Sequence, residues 1–175
     1  MNNPTFTLES AIRKLQITEI TTLIAASVCV QFIVHIIPTG NSVPLGAVLL
    51  PMFYVPLIAL VFYNFKTALI TAAASPVLNY ILTRSPELEI VPQVTFELII
   101  FVLTFTLLLR YSRINYFSAV ISIISAKLLS WFVFSLINLT GLSFANFINS
   151  LSAAYPGITV LLFMNILLIY IKNRH

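Results

Sequence analysis

The chain has 175 residues, 59% of them hydrophobic and 8% charged, with a formal net charge of +4 and a mean hydropathy of +1.03. A soluble domain of this length needs a polar surface that such a composition does not supply, so the sequence reads as an integral membrane protein. The positive charge does not point to nucleic acid, because the basic residues are spread along the chain rather than clustered.

Residues 1–16 carry Glu9, Arg13 and Lys14 and lack the long apolar core of a cleavable signal. They form an N-terminal segment for which a short interfacial amphipathic helix and a mobile tail weigh equally. Residues 17–172 form a single membrane domain. A helix crosses the hydrocarbon layer with about 20 apolar residues. Breaks at charges, Pro, Gly and Asn divide the chain into six such spans, roughly 17–37, 45–63, 67–82, 93–109, 116–139 and 144–171. The second contains Pro51 and Pro56 and the third Pro76, which membrane helices tolerate when neighbours satisfy the freed carbonyls. The expected fold is therefore an all-α compact bundle of six transmembrane helices.

Six spans put both termini on one side. That side collects Arg13, Lys14, Lys66, Arg110, Arg113, Lys172 and Arg174, whereas the other has only Arg84, beside Glu87 and Glu89. The positive-inside rule then makes both termini cytoplasmic, in the plasma membrane of the cell.

Lys127 stands out inside the apolar fifth span, in "SAKLLSW". At about 1.5 Å per residue it lies roughly 18 Å from the inner end of its span, and Glu97 roughly 7 Å from the outer end of the fourth. The two sit at neighbouring depths on consecutive spans. A lone charge there costs a few kcal/mol, so each should face the bundle interior and find a partner. Either they form a structural pair, or one or both line a ligand cavity. Other polar groups gather at the same external level: Gln31 and His35 in the first span, Asn79 and Tyr80 in the third, Gln93 one turn before Glu97. Trp131 and Asn138 share the face of Lys127, and Asn146, Asn149 and Ser150 lie near the outer end of the sixth span. Together they suggest an outward-facing pocket with aromatic walls and a few polar anchors.

Small residues at four-residue spacing form two stripes, one through Thr21, Ala25 and Cys29 with Thr22 and Ala26, the other through Ala68 and Ala72 with Thr71 and Ser75. Such stripes let helices approach closely, within this bundle or against another subunit. The single cysteine, the absence of Asp and two widely separated histidines leave no metal-ligand set, catalytic triad or phosphate loop, so no enzymatic activity and no cofactor is expected.

The six-span pattern, "IPTGNSVPLGAVLLPMFYVPLIAL" and "VPQVTFELIIFVLTF" resemble the substrate-binding S components of energy-coupling factor (ECF) vitamin transporters. The two small-residue stripes resemble the motifs on which those proteins dock a coupling subunit. The first stripe is not a clean Ala-x-x-x-Ala, and "YNFK" replaces the glycine usual between the second and third spans. The resemblance implies a protein that captures a small nutrient, a vitamin or precursor, from outside. It implies docking on a transmembrane coupling subunit with two cytoplasmic ATPases, through Ala25, Ala26, Cys29, Ala68 and Ala72. The loop from Pro38 to Gly46 would act as a lid. Substrate binding would fall to Lys127, Glu97, Trp131, Asn79, Tyr80, His35, Gln93, Asn138 and Asn149. Two other classes share the hydropathy pattern. A structural protein of the rod-shape-determining MreD type predicts a closed Lys127–Glu97 pair without a cavity. A solitary proton-coupled transporter would use Glu97 as its proton site.

Overall fold

The computed structural model describes residues 4–36, 45–111, 115–137 and 144–174; the side chains of residues 4–15, 35, 111, 115 and 146 lie outside that description. The described residues are helical, with no strand: α1 (Pro4–Ile36), α2 (Leu45–Leu49), α3 (Tyr54–Phe62), α4 (Phe65–Thr83), α5 (Val91–Tyr111), α6 (Ser118–Leu136), α7 (Phe144–Ala153) and α8 (Tyr155–Lys172). Short 3-10 turns, Pro51–Phe53 and Asn115–Phe117, precede α3 and α6. Five helices contain a stretch long and apolar enough to cross a membrane: Gln16–Val34, Phe65–Thr83, Val91–Arg110, Ser118–Leu136 and Tyr155–Lys172. Large apolar side chains such as Phe32, Ile33, Leu82, Leu107, Phe132, Phe163 and Leu167 lie exposed on these helices. Water would not tolerate so broad an apolar exterior, and lipid does. This is the construction of a membrane protein.

The expectation of six unbroken spans needs two corrections. Residues 45–63 do not form one helix. Pro51 has no N–H for the ladder, and its ring keeps the preceding residue out of the right-handed helical region. Leu50 accordingly turns left-handed, at φ 54 and ψ 44, and α2 ends there. The Leu50 amide donates to Gly46 at 3.2 Å, and the Phe53 amide donates to Leu50 at 3.1 Å. The Leu49 carbonyl loses the Phe53 amide it would bond in a continuous helix, and the Tyr54 hydroxyl donates to it instead. Only the shorter apolar run Pro51–Phe62 remains below the break. The expected sixth span is likewise two helices, parted at Ala154, because Pro156 in the first turn of α8 cannot extend α7.

Residues 4–16 are helical and continue without a break into the first span as α1.

α4 packs against α1, α3 and α5, and α5 against α6. Its inward face is Thr67, Ala68, Thr71, Ala72, Ser75, Pro76 and Asn79, all buried. The polar members turn back on their own helix. Thr71 donates to the Thr67 carbonyl at 2.8 Å, Ser75 to Thr71 at 2.6 Å, Asn79 Nδ2 to Ser75 at 2.9 Å and Thr83 to Asn79 at 2.7 Å. Small size permits close approach, and back-bonding removes the desolvation cost of the hydroxyls. Below the break, Phe53 meets Phe101 edge to face and Phe101 meets Phe105 at a tilt in the core, with ring centroids 5.3 Å and 5.8 Å apart. Asn165 of α8 is fully buried and donates to the Tyr116 carbonyl at 2.8 Å, which ties α8 to the entry of α6.

α8 meets the broken helix backbone to backbone. A Cβ on Gly157 would lie 2.6 Å from Val48 O and Leu49 C and 2.7 Å from Leu49 O. Only glycine allows this approach.

Candidate functional site

Gln93 and Glu97 stand one turn apart on α5, and Lys127 faces them from the neighbouring α6. Lys127 Nζ lies 3.5 Å from Glu97 Oε2, and the two side chains are 12% and 8% exposed. Gln93 Nε2 donates to the other carboxylate oxygen at 3.2 Å. Glu97 is thus held on both oxygens. Lys127 has three N–H donors and a single partner among the described residues, at a distance longer than a tight charge-assisted bond.

Beside this pair lies a cavity of about 830 Å³. It sits where α1 and α4 finish and where α2 and α5 begin. Lys66, Arg110 and Lys172 occupy the other ends of α4, α5 and α8. One wall is the broken helix and its turn, through Gly46, Ala47, Leu50, Met52 and Phe53. The link between α4 and α5 supplies Arg84, Ser85, Pro86, Glu87 and Ile90. Gln31 of α1, Gln93 and Val94 of α5, Lys127 of α6, and Asn149, Ser150 and Ala153 of α7 complete it. Irregular backbone at membrane depth is stable where it lines a cavity or is buried in protein, and the break at Leu50 meets that condition.

Of the polar residues singled out from sequence, Gln31, Gln93, Lys127, Asn149 and Ser150 reach the lining. Glu97 stands behind Lys127 and is not part of the surface. Trp131 shares the face of Lys127, but its ring packs on α7, 5.6 Å from Phe144 and 5.5 Å from Phe147. Its Nε1 is buried without a hydrogen-bond partner among the described residues. Asn79 is fully buried in the bundle, away from the cavity surface. Tyr80 is also outside the lining. It carries the Arg84 guanidinium over its ring, 5.4 Å from the centroid, and accepts a bond from Arg84 Nη1 at 3.3 Å. It therefore positions a lining residue. The backbone of His35 belongs to α1 and its side chain is outside the described residues, as is the whole of Asn138 and most of the Pro38–Gly46 loop.

The small-residue stripes part company. Ala25 and Cys29 are exposed on α1, and Ala26 is partly buried against the core. Ala68 and Ala72 are at 0% exposure, packed within the bundle.

Arg84, Leu50, Met52 and Phe53 were not anticipated in the lining. The signal for the last three was Leu-Pro at 50–51, where a pre-proline residue resists helical geometry. No metal-ligand cluster exists among the described residues. The chain matches no family model, no curated protein and no solved structure.

Proposed function

We propose that this protein is the membrane-embedded substrate-binding subunit of an ECF-type importer, which captures a small nutrient for uptake driven by partner subunits. The observation that carries the reading is the 830 Å³ cavity with a nearly buried lysine in its wall. Its volume falls in the range of small-molecule sites, and its lining is apolar with a few convergent polar groups, as such sites are. The cavity occupies the end of the bundle away from Lys66, Arg110 and Lys172, which the positive-inside rule assigns to the exterior. A molecule would enter from outside, and a coupling subunit with two ATPases would drive its release inward. With Ala68 and Ala72 buried, the α1 face around Ala25 and Cys29 is the part of the two stripes left to meet that subunit.

A scaffold of the MreD type called for a closed Lys127–Glu97 pair with no cavity, and a cavity lies against Lys127. A solitary proton-coupled carrier calls for Glu97 at the cavity surface, and Glu97 is not in the lining.

The test is purification from the native membrane in mild detergent, followed by extraction and mass spectrometry. A nutrient-sized molecule should accompany the wild type and be lost from Lys127→Ala. Absence of any small molecule from folded wild-type protein, or uptake that proceeds with the ATPases deleted, would overturn the proposal.

A further inference from the structure

The charges around the cavity constrain what it can hold. At the inner wall Lys127 is neutralised by Glu97, 3.5 Å away. At the mouth the lining has one cation, Arg84, and one anion, Glu87, both exposed. The site is therefore balanced at both depths. A ligand carboxylate against Lys127 would place a second anion beside one ammonium, in a wall where both side chains are about nine-tenths buried. Coulomb repulsion between the two carboxylates is poorly screened there.

The hydrogen-bonding inventory says what the wall lacks. Lys127 has one partner among the described residues and two further N–H donors. Gln93 gives its Nε2 to Glu97 and keeps Oε1 as an acceptor at the same wall. The cavity thus offers a donor and an acceptor on adjacent turns of neighbouring helices, beside the apolar surface of Met52, Phe53 and Val94.

We infer that the molecule held here is electroneutral and presents a carbonyl oxygen to Lys127 and an adjacent N–H to Gln93, the pairing found in an amide or lactam on a planar body. Lys127 stays paired with Glu97 throughout. The carbonyl completes its donor set without adding charge, and the flat body covers Met52 and Phe53. The inference rests on the binding role proposed above and narrows it to one ligand chemistry.

Benzamide and benzoate form a matched pair of probes, alike in shape and differing in charge and in the N–H. Thermal stabilisation of the detergent-solubilised full chain, titrated with each, reads their affinities. The wild type should bind benzamide roughly tenfold more tightly than benzoate. Glu97→Gln leaves Lys127 as an uncompensated cation and should reverse that order. Lys127→Met leaves Glu97 as an uncompensated anion and should weaken benzoate further, whereas Lys127→Met/Glu97→Gln, uncharged at both positions, removes the repulsion and should narrow the discrimination even if the single variant folds poorly. Preference of the wild type for benzoate, equal response to both, or response to neither would overturn the inference. The binding role fails separately, if the native extract yields no small molecule at all.

Discussion

Gly157→Ala puts the seam between α8 and the broken helix under direct test. The added Cβ would sit 2.6 Å from Val48 O and Leu49 C, where real Cβ contacts essentially never fall below 3.0 Å. The contact must therefore open from 2.6 Å to at least 3.0 Å. The obstacle is main chain on both sides, so no rotamer change relieves it. Overpacking of this kind costs about 1–3 kcal/mol. The cost has a direction as well as a size. Pushing Leu49 away from α8 displaces Gly46, Ala47 and Leu50, which wall the cavity, so ligand retention should fall by more than global stability does. The assay is paired: thermal unfolding in detergent, and quantitation of the co-purified molecule on protein that remains folded. Unchanged stability and unchanged retention together would refute the close approach. Loss of stability with full retention would show that α2 does not shape the cavity.

Three further outcomes follow from the geometry. Lys127→Met strands Glu97 with Gln93 alone and should cost about 3–5 kcal/mol, whereas Lys127→Met/Glu97→Gln should recover most of that; unfolding titrations of the single and double variants measure the difference. Tyr54→Phe removes the donor that serves the Leu49 carbonyl and should destabilise by about 1–3 kcal/mol in the same titration, with no change expected if water takes the place of the hydroxyl. Asn165→Leu leaves the Tyr116 carbonyl without its donor and should cost a similar amount, about 1–3 kcal/mol, with faster amide exchange at the entry of α6 as its local signature.

Helical class and a lipid-facing exterior were legible because both depend on composition and on run length, which the chain states openly. Lys127 and Glu97 could be placed at one level because rise per residue is nearly constant, and they meet at 3.5 Å. The interruptions were not legible. Pro51, Pro56, Pro76 and Pro156 look alike in an apolar run, yet Pro76 lies within a continuous α4 while Pro51 and Pro156 mark breaks. Sequence spacing does not separate the two outcomes. The stripes teach the same lesson. Ala25 and Ala68 head similar patterns, but α4 is enclosed by α1, α3 and α5 while the Ala25 side of α1 faces outward. Trp131 lies one turn from Lys127 on the same face, and the cavity stops between them because α7 folds Phe144 and Phe147 over the indole.

The ladder on α4 has a mechanical consequence. Thr71, Ser75, Asn79 and Thr83 spend their donors on carbonyls of their own helix, so none of these bonds crosses to a neighbour. Along this ladder the contact of α4 with its neighbours is held by dispersion and shape rather than by these donors. Displacing α4 along α1 or α5 would break none of these hydrogen bonds but would force its close-packed, buried face to repack, and Arg84, which caps α4, stands in the cavity lining.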